Sequence, residues 1–204
     1  MSHHFFPMIS RMRYINRWGL MRNTRLENIQ EHSHQVAVLA HALAVIQNRY
    51  FGGQIDPGQV AVAALYHDAS EILTGDMPTP IKYDNPDIQS AYKQVEAVAE
   101  QKLLNMLPED LRPAYDEALT IPDPQVRALV KAADKLSAYL KCVEEVKAGN
   151  NEFKKAKEQT YAALCQNQIP ALRYFMDRFL DGFELTLDEL SEEYAPRLNS
   201  NKFG

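Results

Sequence analysis

The chain is short of cysteine, of positive charge and of long apolar runs, and each shortage removes a class of protein. Two cysteines, Cys142 and Cys165, stand apart in 204 residues with no Cys-x-x-Cys spacing. That is too few for a disulfide framework, and both read as buried free thiols of a reducing compartment. The longest apolar run, residues 36–46, is interrupted by His41. It falls short of the ~20 residues that a bilayer-crossing helix needs, so no membrane partner is expected. Residues 1–13 carry neither a long apolar stretch nor a small-residue cleavage site, which excludes a signal peptide and leaves the cytoplasm as the expected location. A formal net charge of −5 argues against a duplex nucleic-acid binder, which usually carries a basic face, so polymeric nucleic acid is not an expected partner. A small anionic substrate stays possible, because local charge decides that.

What is present is ordinary for a globular protein: 46% hydrophobic and 24% charged residues. Strand-type alternation is nearly absent, and turn or capping clusters divide the chain: Gly52-Gly53, Asp56-Pro57, Pro78-Thr79-Pro80, Asn85-Pro86, Pro122-Asp123-Pro124 and Gly149-Asn150. Between them the apolar residues recur at helical steps. Val36, Leu39, Leu43 and Ile46 make one stripe; Val60, Ala64, His67 and Glu71 a second; Val126, Val130, Ala133, Ser137 and Leu140 a third, in a long helix over 123–148. Helices are also expected over 87–107, 151–166 and 170–179, with a short one over 185–193. No repeat or linker interrupts the pattern. The expected fold is all-α, a single compact domain over 1–204 with a tail fraying after about 194.

On those helices stand four residues of metal-ligand type: His32, the adjacent pair His67-Asp68, and Asp134. The pair follows an apolar stretch, residues 61–66, and buried ionisable groups are costly without strong partners. A metal satisfies both; a core histidine bonded to a carbonyl is the alternative. His32 lies one turn before Val36 on the same stripe and should point inward, whereas His34 and His41 lie off it. Asp134 flanks the buried face of the long helix, with small alanines before it leaving room; a solvated aspartate beside two lysines is the alternative. Two imidazoles and two carboxylates from three helices can hold one divalent cation. Glu71, four residues past His67, can handle protons beside it if it stays off the metal. The set points to metal-assisted hydrolysis of a phosphate ester.

Two further stretches suit a ligand. Residues 74–80, Thr-Gly-Asp-Met-Pro-Thr-Pro, form a stiff loop within two turns of the histidine–aspartate pair, in which Asp76 can accept from a sugar hydroxyl or base edge. Arg17-Trp18 sets a guanidinium, which grips phosphate through paired hydrogen bonds, beside a flat indole. A surface arginine and a core tryptophan are the alternative.

The order His32, His67-Asp68, Asp134 resembles the HD-domain metal-dependent phosphohydrolase superfamily. Residues 15–18 (INRW), 31–33 (EHS), 66–71 (YHDASE), 73–76 (LTGD), 78–80 (PTP), 138–142 (AYLKC) and 148–153 (AGNNEF) narrow the likeness to its bacterial 5′-deoxynucleotidases, over about 5–188. The resemblance implies an HD-domain helical fold, a homodimer, and release of phosphate from deoxyribonucleoside 5′-monophosphates in preference to ribonucleotides. It implies His32, His67, Asp68 and Asp134 as metal ligands, Glu71 as the catalytic carboxylate and Arg17 as the group orienting the phosphate. Trp18 would border the sugar where a 2′-hydroxyl would sit, and Asp76, Met77, Pro78 and Thr79 would line the nucleoside side, with Asp68 also facing substrate. One cation is implied, with nitrogen and oxygen ligands suiting Co²⁺, Mn²⁺, Zn²⁺ or Fe²⁺. The rival readings are an HD hydrolase for a phosphodiester or a pyrophosphorylated nucleotide, and a nucleotide sensor without turnover.

Overall fold

The computed structural model describes residues 3–82 and 85–192, apart from the side chains of residues 79, 80 and 192. Its elements are helices: α1 (Phe5–Ile9) running into a 3₁₀ turn (Ser10–Tyr14), α2 (Ile29–Phe51), α3 (Pro57–Tyr66), α4 (Glu71–Thr74), α5 (Thr79–Lys82), α6 (Pro86–Leu104), α7 (Arg112–Thr120), α8 (Pro124–Lys147), α9 (Lys154–Gln166), α10 (Pro170–Phe179) and α11 (Leu187–Glu192). Among the described residues there is no strand, only one antiparallel bridge between Asn16 and Asn28. No described helix is long and apolar enough to cross a membrane.

The helix starts follow from Asx side chains and prolines. Asp56 accepts from the backbone N–H groups of Gly58 and Gln59, and Asp123 from those of Gln125 and Val126, each with proline at the first helical position. Asn28 caps α2 through Gln30 and Glu31. Each such cap is worth about 1 kcal/mol. Helix α2 ends at Gly52, whose φ of 71° is a left-handed cap that a side chain would resist.

Helix α2 is the central post, packed by α3, α8 and α10. Val36, Leu39, Leu43 and Ile46 from α2 meet Val126, Val130, Leu136 and Leu140 from α8 in the main core. Leu43 is fully buried, and truncation to alanine would cost about 2–5 kcal/mol. Ala132 and Ala133 are buried at the same contact, and their small size lets α8 come close to α2. A second cluster joins Phe5, Ala69, Leu103, Leu104, Leu107 and Leu119.

Three expectations change. The stripe through Val60, Ala64, His67 and Glu71 is not one helix: α3 ends at Tyr66, and α4 starts at Glu71. Between them the chain tightens to i→i−3 bonds, Ala69 N–H to Tyr66 O at 2.9 Å and Glu71 N–H to Asp68 O at 3.0 Å. The cause is packing, since Ala69 is fully buried in the second cluster and its position fixes the turn. In such a turn residues three apart eclipse, so Asp68 and Glu71 share a side instead of His67 and Glu71. Secondly, Cys142 is buried as expected but Cys165 is exposed. Thirdly, the stretch 151–166 opens as a 3₁₀ turn before α9 begins at Lys154. The expected frayed tail after 194 lies outside the described residues.

Candidate active site

The site is built where α2, the 67–70 turn and α8 meet. His32 comes from the first turn of α2 and is completely buried. His67 closes α3, and its side chain is 9% exposed. Ligand-type atoms of His32, His67 and Asp68 all lie within 4.8 Å of one another. Asp134 on α8 joins through His32, with Oδ1 3.0 Å from Nε2. The four residues are thus brought together, with Asp134 standing outside the tightest group of three.

The hydrogen bonds determine which imidazole nitrogens are free. Nδ1–H of His67 donates to the Ala64 carbonyl at 2.7 Å, since a carbonyl can only accept. Ser137 donates its hydroxyl proton to Gln35 Oε1 at 2.6 Å, so its oxygen accepts from Nδ1–H of His32 at 3.1 Å. Both rings therefore turn Nε2 toward carboxylate oxygen. His32 Nε2 faces Asp134 Oδ1 and, at 3.5 Å, Asp68 Oδ2. His67 Nε2 is buried with no hydrogen-bond partner and lies 3.3 Å from Asp68 Oδ1. Lone pairs facing lone pairs need positive charge between them. Backbone- and hydroxyl-bound Nδ1 atoms that leave Nε2 free are the supports that metal-ligating histidines use. The donor set, two nitrogens and carboxylate oxygens, fits a divalent cation.

Arg17 and Trp18 reach the site on a loop whose base is closed by Arg17 N–H to Glu27 O at 2.9 Å and Ile29 N–H to Ile15 O at 3.0 Å. The Arg17 guanidinium lies 3.3 Å from Asp68 Oδ2 and 3.3 Å from Glu27 Oε2. Trp18 takes a left-handed φ of 60°, which a bulky side chain seldom does. Its indole N–H donates to Glu27 Oε2 at 3.1 Å and its ring rests on Phe153, with centroids 5.3 Å apart. Its backbone N–H lies close enough to the Asp76 carboxylate to favour the ionised form. Glu27 therefore fixes both members of the Arg-Trp pair.

The carboxyls around Arg17 are pushed in opposite directions. Burial raises Glu71, and the nearby Asp68 and Asp76 add to it, so that its pKa moves up to about 9. Its Oε2 is buried and unpartnered. Burial also favours neutral Asp134; with His32 protonated on Nε2 as well, its hydrogen bond and charge, with His67 and Arg17 beyond, hold that carboxyl well below the usual range, and a cation seated against a neutral Nε2 would act in the same direction. Burial raises Asp76 as well, against the pull of Arg17. A proton-holding acid beside an ionised carboxylate is the separation that acid–base chemistry uses.

Met77 and Pro78 are half-buried in the stretch that opens at Gly75, while the side chain of Thr79 lies outside the described residues. That stretch leans on α6: Tyr92 hydroxyl bonds Thr74 Oγ1 at 3.3 Å, and Lys82 donates to Glu96 at 2.9 Å while lying over the Tyr92 ring. His34 and His41 are exposed. Sequence reasoning gave no role to Glu27, Gln35 or Ser137. Ser137 carried a signal, being a polar residue on an apolar stripe three positions after Asp134; Glu27 carried none.

The family described as 5′-deoxynucleotidase YfbR-like matches residues 4–183 of this chain. A 5′-deoxynucleotidase of Erwinia tasmaniensis is 53% identical over 93% of this chain and 97% of its own length. One from Vibrio cholerae is 52% identical over 92% and 98%. The 5′-deoxynucleotidase YfbR of Shigella dysenteriae is 52% identical over 93% and 96%. Among solved structures, an HD-domain phosphohydrolase of Listeria innocua superposes with a TM-score of 0.77 at 20% identity, over 93% of this chain and 96% of that one. A cyanophage S-2L HD phosphohydrolase, bound to dA and one catalytic Zn²⁺, does so with 0.63 at 23%, over 88% and 96%. At those identities the two structures speak for the fold.

Proposed function

Since the chain belongs to the YfbR-like 5′-deoxynucleotidase family, with the all-helical HD phosphohydrolase fold, we propose that it hydrolyses deoxyribonucleoside 5′-monophosphates with one divalent cation and disfavours ribonucleotides. That it is a phosphoric monoester hydrolase follows from the family. The metal, the residue roles and the sugar preference are our reading. One observation carries it: two imidazoles with committed Nδ1 protons turn free Nε2 atoms onto Asp68 and Asp134. The cyanophage relative of the same fold holds a single catalytic Zn²⁺ with dA.

His32, His67, Asp68 and Asp134 would hold the cation. When bound, it supplies Lewis acidity at phosphate and lowers the pKa of water. Carboxyls of Glu27, Asp68, Asp76 and Asp134 crowd one guanidinium here, so a phosphate needs that added positive charge to enter. Arg17 orients the phosphate and stabilises the charge that develops on its oxygens. Glu71, kept protonated by burial, gives its proton to the 5′-oxygen as the P–O bond breaks and is recharged from the attacking water. Asp68 and the stretch from Asp76 through Met77 and Pro78 to Thr79 border the substrate. Trp18 occupies the space a 2′-hydroxyl would need. Leaving that hydroxyl buried and unpaired gives roughly a ten- to hundredfold preference for deoxyribose. We further infer one domain acting as a cytoplasmic homodimer, which sedimentation velocity tests.

Phosphate release is measured across paired deoxy- and ribonucleoside monophosphates, with chelator, with metals restored, and on Glu71→Ala. Expected are turnover of deoxynucleotides, its loss to chelator and recovery with metal, and a Glu71→Ala protein that binds with little turnover. Equal efficiencies on dAMP and AMP would remove the exclusion argument. Binding without turnover in the parent would make it a sensor.

A further inference from the structure

Glu145 on α8 is 1% exposed and belongs to no part of the site described above. A buried carboxylate on a packed helix face is costly unless it gathers strong donors. Those donors come from the loop that carries Trp18, through Thr24 and Arg25, and from Lys141 and Asn150, which bond that loop in turn. Thr24 gives its backbone N–H at 2.9 Å and its hydroxyl at 2.7 Å to Oε2; Arg25 gives its N–H at 3.3 Å to Oε1. Lys141, itself buried, bonds both Glu145 and the Arg25 carbonyl. Asn150 bridges Glu145 at 2.9 Å to the Arg22 carbonyl at 2.7 Å.

From there the bonds run back to Trp18. Asn23 donates its side-chain amide to the carbonyls of Met21 and Trp18, at 2.8 and 3.3 Å, and Met21 N–H donates to Trp18 O at 2.9 Å. Phe153, three residues past Asn150, is the fully buried ring on which the indole rests. Residues 22–28 have no helix to satisfy their backbone, and Trp18 holds a strained φ that only over-determined surroundings maintain.

We propose that Glu145, with Lys141 and Asn150, is a positioning residue: it fixes the Trp18 loop in its strained turn and thereby sets how strictly the enzyme rejects a 2′-hydroxyl. The second half rests on the sugar reading given under Proposed function. Oε2 of Glu145 is the anchor, and Thr24 is the contact through which it can be loosened gently, because Thr24 is exposed and its exchange leaves the core untouched.

Trp18 is the single tryptophan of the chain, so its fluorescence reports the clamp without metal or substrate. Thr24→Val keeps the shape and removes the hydroxyl bond; Thr24→Ser keeps the bond. Acrylamide quenching of Trp18 should rise by about twofold in Thr24→Val. The dAMP-over-AMP ratio of kcat/KM should fall by roughly three- to tenfold. Thr24→Ser should match the parent in both. Glu145→Gln, if it folds, should exceed Thr24→Val. Unchanged quenching in Thr24→Val would overturn the clamp. Raised quenching with an unchanged ratio would overturn its role in selectivity. A parent with no preference for dAMP would sink the sugar reading instead, and quenching would still decide the clamp.

Discussion

The loop bearing Arg17 and Trp18 is tied to α8 through a carboxylate that is 1% exposed, whereas the stretch from Gly75 to Lys82 leans on α6 through groups that water still reaches. The Lys82–Glu96 pair has side chains 26% and 23% exposed at 2.9 Å. Hydrogen bonds to a desolvated charge hold their geometry, while part-exposed pairs contribute roughly 0–1 kcal/mol and yield to salt. One wall of the site is therefore set before any ligand arrives, and the other can give. In our reading the fixed wall meets the parts every substrate shares, phosphate and deoxyribose. The yielding wall meets the base, which varies.

Between the walls lies the His–Asp cluster, and the largest effect should come from there. Asp68 touches His32, His67 and Arg17 at once. Asp68→Asn should lower kcat/KM for dAMP by about 10³-fold or more. Added Mn²⁺ or Co²⁺ should raise the melting temperature of the chelated parent, and Asp68→Asn should abolish that rise. A loss no greater than that of a substitution in either wall would leave the comparison without a centre.

Glu71 feels both walls, since Arg17 and Lys82 are the cations that partly offset its upward shift. Its folded pKa of about 9 stands above the ordinary 4.5, so the folded chain keeps a proton there that the unfolded chain loses. The stability this contributes is complete below pH 4.5 and is lost as pH rises through about 9. Glu71→Gln cannot lose that proton. Denaturant titrations with chelator present should show Gln gaining on the parent as pH rises, by a few kcal/mol in all at ~1.4 kcal/mol per pKa unit. Parallel pH profiles would mean that the two walls' cations neutralise Glu71 fully.

The longer helices and most of their ends were legible because Asx-Pro pairs cap several of them and apolar stripes of period 3.6 mark their buried faces, whereas the short α1 and α7 were not expected. The break after Tyr66 was not, because no residue at 67–70 is a helix breaker. Burial of Ala69 in a cluster built from α1, α6 and α7 tightens that turn, and such a cause is tertiary. In the site, the ligand-type residues announced themselves as ionisable groups on apolar stripes. Glu27 did not, since a loop carboxylate carries no periodicity and takes its meaning from the bridge contacts that fold Arg17 and Trp18 against it. Cys165 failed for the opposite reason: a thiol is apolar enough to read as core, yet it sits on the outer face of α9.

The smallest effect should come from the yielding wall. Glu96→Gln removes the charge that holds Lys82 while keeping its shape. The pair is part-exposed, so the loss should be within about 1 kcal/mol, seen as roughly a two- to fivefold rise in KM for dAMP at constant kcat. Inhibition by inorganic phosphate should not change, because in our reading Arg17 holds the phosphate on the other side of the cluster. High salt should move the parent's KM in the same direction and leave the variant nearly unaffected, since only the parent has an ion pair to screen. The dAMP-over-AMP ratio should stay at the parental value in Glu96→Gln while it falls in Thr24→Val. If both substitutions shift that ratio alike, the two walls are one rigid unit, and the contrast between a buried anchor and a part-exposed one has no functional consequence.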